Sequence, residues 1–134
     1  MNNKTNNIEN ILLEYFNNSN SNSNPLVICG NNEALENCLN NIRKVIEESN
    51  KSVSYIDDLN DLLNNDLSED VFIFESINKI ESNEQAQYNF FHLFNKLYNN
   101  EKLMIVFSSK LPEDLLSFSE RIITRLNWGT IVKI

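Results

Sequence analysis

Two short runs of wholly apolar side chains, Val71-Phe72-Ile73-Phe74 and Leu103-Met104-Ile105-Val106-Phe107, constrain this chain more than any other feature. A strand with one face in water alternates apolar and polar residues, whereas a strand apolar at every position is covered on both faces. The segments around these runs carry helical spacing. Glu33 to about Ser49 puts Leu35, Leu39, Ile42 and Ile46 on one face, and Gln85 to Tyr98 turns Phe90, Phe91, Phe94 and Leu97 inward. Pro25 biases Asn24 toward an extended shape, and a first strand follows through Cys29. Val53, Tyr55 and Ile56 read as a second strand, and Thr130–Ile134 as a last one. Leu59, Leu62 and Leu63 suggest a short helix, and Leu111 to Leu126 reads as mostly helical with Pro112 near the start of its first helix. Strands alternating with helices predict an α/β fold, a three-layer α/β/α sandwich around a five-stranded parallel sheet.

Ahead of this pattern, Ile8, Ile11, Leu12, Leu13, Tyr15 and Phe16 make a short amphipathic helix, and Asn17–Asn24 a polar linker. The chain of 134 residues therefore divides at residue 24: an N-terminal helix with an Asn/Ser-rich linker over 1–24, and one α/β domain over 25–134. Asparagine makes up about one residue in five, which reads as compositional drift because it also interrupts the helices.

The formal net charge of −8 repels nucleic acid and anionic lipid. No apolar run is long enough to span a bilayer, and the N-terminus lacks a basic stretch followed by an apolar one, so the sequence predicts a cytoplasmic protein without membrane contact. Cys29 and Cys38 are the only cysteines and His92 the only histidine, with no metal-ligand spacing among them. The cysteines read as small buried apolar residues, His92 as a packed core residue among phenylalanines, and Trp128 as a core or rim anchor.

Gly30, at the end of the first strand and just before a helix, stands where a phosphate-binding loop G-x-x-x-x-G-K-[ST] would open. Counted from it, the second glycine falls on Leu35, the lysine on Glu36 and the hydroxyl residue on Asn37. A phosphate cradle needs exposed backbone N–H groups, a cation and a hydroxyl for Mg²⁺. Here those positions carry a branched side chain, an anion and an amide. Only one other glycine exists, Gly129, so no glycine-rich loop can form elsewhere.

Four segments carry a resemblance to a known family: Asp70-Val71-Phe72-Ile73-Phe74-Glu75-Ser76-Ile77, Asn89–Tyr98, Ser108-Ser109-Lys110-Leu111-Pro112, and Glu120-Arg121-Ile122-Ile123-Thr124-Arg125-Leu126-Asn127-Trp128-Gly129. In order and spacing they resemble the AAA+ ATPase domain of the bacterial replication initiator DnaA and its shorter regulatory homologue Hda. The resemblance implies a P-loop NTPase-like fold, the AAA+ base, with the family's helical lid absent after Ile134. It makes Gly30, Leu35, Glu36 and Asn37 a degenerate Walker A. Glu75 and Ser76 become a degenerate Walker B, in which one acid of the family's Mg²⁺-holding pair is lost. Lys110 falls at the sensor-1 position. Asp57 to Asp70 is too short for the helix pair through which the initiator contacts single-stranded DNA, which places the chain nearer Hda. Hda-like proteins dock on the sliding clamp through an N-terminal motif with glutamine; Leu12–Phe16 has none in place and reads as a packing helix.

One family feature is retained. Arg121 and Arg125 lie one helical turn apart and share a face. The family places its arginine finger at the position of Arg125, reaching a neighbour's ATP, and a subunit contact at Arg121. The resemblance thus implies a non-enzymatic protein with no cofactor and no direct nucleic-acid contact. It would be a protein-interaction module that regulates replication initiation by contacting DnaA through this arginine face. Two alternatives stay open at this point: a structural adaptor or self-associating scaffold unrelated to replication, and a weak nucleotide-binding ATPase, against which Glu36 and Ser76 both argue.

Overall fold

A computed structural model of the chain describes residues 10–16, 24–56 and 67–134. Five strands form one parallel sheet: β1 (Leu26–Cys29), β2 (Val53–Ile56), β3 (Val71–Phe74), β4 (Leu103–Ser108) and β5 (Thr130–Lys133), in the order β2-β3-β4-β1-β5. The helices are α1 (residues 10–16), α2 (Asn32–Glu48), α3 (Glu84–Asn99) and α4 (Glu120–Leu126), with 3₁₀ turns at Ile77–Ile80 and Pro112–Asp114. The short helix read at Leu59–Leu63 lies outside the described residues.

The apolar central strands divide their side chains strictly between two cores. Val27, Phe72, Phe74, Met104 and Val106 face α3 and α4, whereas Leu26, Ile28, Val71, Ile73, Ile105 and Phe107 face α1 and α2. This period-two division is why β3 and β4 tolerate no polar residue within their hydrophobic runs. The helical layers start on side-chain caps: Asn31 Oδ1 accepts from Ala34 N at 2.8 Å and Asn83 Oδ1 from Ala86 N at 3.0 Å. These asparagines are placed by function in the fold rather than by composition alone.

Helix α1 packs through buried Leu12, Tyr15 and Phe16. The Tyr15 hydroxyl lies 2.6 Å from Asn24 Oδ1 and 2.8 Å from the carbonyl of Met104, and accepts from Met104 N at 2.7 Å. Asn24, the last residue of the segment read as a linker, is buried, and its amide donates to the Lys102 carbonyl at 2.7 Å. These side chains satisfy β4 backbone groups just before its pairing with Leu26 begins at Ile105. Burial pushes the Tyr15 phenol well above its ordinary pKa, so it stays a neutral donor. At the same end of the sheet, a Cβ on Gly129 would stand 2.1 Å from the Pro25 carbonyl oxygen, which explains a glycine there.

One sequence expectation is corrected. His92 is exposed, on the outer side of α3, edge-on to Tyr88 with ring centroids 4.3 Å apart. The helical period already places it opposite Phe90, two residues away and about 200° round the axis. The stretch from Leu111 to Leu126 holds two helical pieces, a 3₁₀ helix at Pro112–Asp114 and the seven residues of α4, with a loop between them. Leu115 and Phe118 turn into the core from that loop, and Ser119 caps α4.

Candidate functional site

The loops after β1, β3 and β4 and the end of β5 meet at the carboxyl edge of the sheet, where parallel α/β folds place ligands. At this edge α2 begins only two residues after Gly30. The four positions that would form a phosphate loop, Asn31 to Ala34, are instead the cap and first turn of the helix. Ala34 N is engaged by the Asn31 side chain, and Leu35 N donates to the Asn31 carbonyl at 2.9 Å. Leu35 is buried in the α2-side core, whereas Glu36 and Asn37 are exposed. Gly30 is covered by Ile134: a Cβ there would stand 2.8 Å from Ile134 Cγ1, and Ile134 N donates to the Cys29 carbonyl at 2.9 Å. The glycine thus makes room for a side chain of the last strand's end.

The other edge residues are also taken up internally. Glu75 lies 3.7 Å from an Arg43 guanidinium nitrogen, and that guanidinium sits 5.0 Å from the Tyr55 ring centroid. The Ser76 hydroxyl is 3.1 Å from Asn78 Oδ1, which also accepts from Ser109 N at 3.0 Å and so ties the β3 loop to the β4 loop. Lys110 Nζ pairs with Glu81 at 2.9 Å, while its backbone is held by the Ser108 hydroxyl. The Cys29 thiol reaches the Lys110 carbonyl at 3.5 Å, and burial pushes its pKa up to about 11, so it remains protonated. Asn31, Arg43 and Asn78 were not anticipated from the sequence. Asn31 had a legible signal, an amide one step before an apolar-periodic segment with an acid in its first turn; the partners of Arg43 and Asn78 come from other elements.

The arginine face lies on α4, against α3. Arg125 is half-buried: its Nε donates to Asn95 Oδ1 at 2.7 Å and Nη1 to the Arg121 carbonyl at 3.1 Å. Its guanidinium lies 4.4 Å from the Phe91 ring centroid and 5.0 Å from that of Trp128. Trp128 is a rim residue, 43% exposed, which also touches Tyr98. Arg121 is exposed, and its side chain has no partner among the described residues. Beside it an open groove of about 530 Å³ runs between α3 and the segment 117–122. No helix among the described residues is long and apolar enough to cross a membrane.

Comparison with known proteins agrees with this architecture. The chromosomal replication initiator protein DnaA of Geotalea daltonii is 31% identical over 104 residues, 78% of this chain and 23% of that protein. The DnaA of Geobacter sulfurreducens is 38% identical over 65 residues, 48% of this chain and 15% of that protein. The chain thus spans a quarter or less of the length of these relatives. Among solved structures, domain III of the Thermotoga maritima replication initiation protein DnaA superposes with a TM-score of 0.82 at 22% identity, over 100% of this chain and 63% of that one. A replication initiator DnaA bound to AMPPCP and single-stranded DNA superposes with a TM-score of 0.78 at 25% identity, over 93% and 44%. The family model of the bacterial DnaA ATPase domain matches residues 36–133, from Glu36 in the first turns of α2 to the end of β5. With the five-stranded parallel sheet and most of the chain matched, this protein belongs to the bacterial DnaA ATPase-domain family.

Proposed function

We propose that this chain neither binds nor hydrolyses ATP and works as a protein-interaction module, regulating replication initiation by contacting the initiator through the Arg121–Arg125 face of α4. The observation that carries the reading is the start of α2. Its cap and first turn occupy the phosphate loop, its buried Leu35 replaces a glycine, and its exposed Glu36 replaces the lysine. Two like unit charges 4 Å apart repel by about 4 kcal/mol at an intermediate dielectric, and the lost lysine attraction adds to that. Glu75, the one acid left at the Walker B position, faces a guanidinium. A triphosphate with its magnesium ion does not fit this set of residues.

An arginine that acts on a neighbour's nucleotide needs no loop of its own, but it does need a fixed position. Asn95, Phe91 and Trp128 supply that for Arg125, while the exposed Arg121 side chain beside it has no partner among the described residues. Calorimetric titration with ATP and Mg²⁺ tests the first half of the reading: no binding heat is expected, and micromolar binding overturns it. The second half is tested by adding the protein to the initiator and following ATP hydrolysis. The wild-type chain is expected to change the rate and Arg125→Ala to abolish the change. A wild-type protein that neither binds the initiator nor alters its hydrolysis sinks the proposal.

A further inference from the structure

The groove between α3 and the segment 117–122 is lined by polar groups that the fold leaves unmatched. Gln87, in the first turn of α3, is one of them and is only 7% exposed. Its amide nitrogen donates to the carbonyls of Ile80 at 3.0 Å and Glu81 at 2.9 Å. Carbonyls only accept, so the nitrogen faces them and Oε1 is left without a partner among the described residues. No fully buried side-chain oxygen among the described residues lacks a partner, so Oε1 is the part of Gln87 that reaches the groove. Glu84, three residues earlier, shares this face of α3, and Arg121 lines the groove from α4. The two carry opposite charges into one groove, yet neither has an ion-pair partner among the described residues. One turn further along α3 stand Tyr88, 60% exposed, and Phe91, with Ile122 next to Arg121 on the other wall.

An apolar groove of about 530 Å³ with a few convergent polar groups is a small-molecule site in size and kind. Its chemistry sets three demands. An ionised Glu84 and the Gln87 oxygen only accept, so they call for a cationic group with several N–H donors. Arg121 only donates and calls for an anion. The rings and Ile122 call for an apolar body. A plain anion leaves both acceptors unmatched, and a plain cation leaves Arg121 unmatched. We propose that this groove binds a free α-amino acid with an apolar or aromatic side chain. Glu84 and Gln87 Oε1 hold its ammonium group, Arg121 its carboxylate, and Tyr88, Phe91 and Ile122 its side chain. Such a ligand has no net charge, so the −8 of the chain does not oppose it as it opposes a nucleotide. The site goes beyond the initiator reading and does not rest on it. Both use Arg121, so a bound amino acid competes with any contact through that side chain.

Titrating the chain alone with L-phenylalanine, followed by NMR at the Gln87 side-chain amide and the Arg121 Nε–H, tests this. Saturable shifts are expected at roughly millimolar concentration or below. Phenethylamine lacks the carboxylate and hydrocinnamate the amine, and each is expected to bind roughly tenfold or more weakly, because one charged contact is lost. Glycine, without the apolar body, is expected to bind more weakly as well. Glu84→Gln and Arg121→Gln should each weaken L-phenylalanine by a similar factor. Both positions are exposed, and circular dichroism checks that each variant is folded. The proposal is overturned if neither L-phenylalanine nor L-leucine gives a saturable shift up to its solubility limit. It is overturned equally by an analogue missing one charge that binds as tightly as L-phenylalanine, or by binding indifferent to both variants. Adenosine monophosphate saturating the groove where the amino acids do not would also overturn it. The initiator takes no part in these titrations, so its ATPase assay tests the other reading separately.

Discussion

The carboxyl edge of the sheet and the α3–α4 flank treat their polar groups in opposite ways. At the edge, Asn31 is bound to a helix terminus, Glu75 to Arg43, Lys110 to Glu81, and Asn78 to Ser76 and Ser109. On the flank, Arg125 is anchored while Arg121 has no partner among the described residues, and the groove beside it is open. A site that serves a ligand leaves donors, acceptors or charges unmatched until the ligand arrives. By that measure, among the described residues, the flank keeps an unmatched cation beside an open groove, whereas the loops after β3 and β4 have their polar side chains matched internally.

The strongest attempt to break this contrast is to rebuild the loop. Leu35→Gly, Glu36→Lys and Asn37→Thr together restore the letters of a phosphate loop. They also remove a core leucine and put glycine in the first turns of α2. We expect a loss of about 3–5 kcal/mol in urea unfolding and no ATP binding by calorimetry, because Asn31 to Ala34 remain helical. Micromolar ATP binding in a folded triple variant would show that the edge is one substitution set away from function, and the contrast would fail.

The two glycines sharpen it next. Gly129→Ala drives a Cβ against the Pro25 backbone carbonyl, which cannot rotate away, and should cost about 3 kcal/mol. Gly30→Ala meets the Ile134 side chain instead and should cost about 1 kcal/mol. Combining it with Ile134→Ala should recover most of that loss, as coupled neighbours do. Gly30 would then be a packing glycine. A Gly30→Ala loss indifferent to Ile134 would contradict this account.

The sheet and the two long helices were legible because burial imposes simple periods on them. β3 and β4 had to be apolar throughout, and α2 and α3 carry continuous inward stripes. Within the mostly helical stretch 111–126 the loop was the less legible part, because Leu115 and Phe118 are apolar as core plugs between a 3₁₀ helix at Pro112–Asp114 and α4, which carries Ile122 and Leu126. His92 was misread by composition where the helical period gives the right side. At the site, the altered residues Leu35, Glu36 and Ser76 could be counted off a motif. What Glu75 and Lys110 contact could not, because Arg43 and Glu81 reach them from other elements and no spacing records that.

The two arginines give a smaller effect with a clear sign. Arg125→Ala removes a hydrogen bond to Asn95 and contact with two aromatic rings, and should destabilise by about 1–2 kcal/mol. Arg121→Ala should stay within about 0.5 kcal/mol, as an exposed side chain without partners among the described residues. Equal losses from both would mean that Arg121 is held as Arg125 is, and the flank would lose its unmatched cation.

The smallest effects lie in the ion pairs at the edge, and they bear on whether Glu75 is still a metal ligand. Arg43 and Glu75 are 3.7 Å apart with side chains 47% and 24% exposed, so water and salt screen the pair. A double-mutant cycle through Arg43→Ala and Glu75→Gln should return a coupling of about 0.2–1 kcal/mol that shrinks in high salt. The informative control is Mg²⁺. One carboxylate already facing a guanidinium, with no phosphate beside it, lacks the oxygen set that magnesium takes. Magnesium chloride should therefore shift the thermal midpoint no more than sodium chloride of equal ionic strength, in wild type and in Glu75→Gln alike. Removing Arg43 frees the carboxylate, and Arg43→Ala is the background in which any residual affinity would surface. A magnesium-specific stabilisation there that Glu75→Gln erases would make Arg43 an internal substitute for the metal's charge; the same stabilisation in the wild-type chain would return the edge to the class of ligand sites.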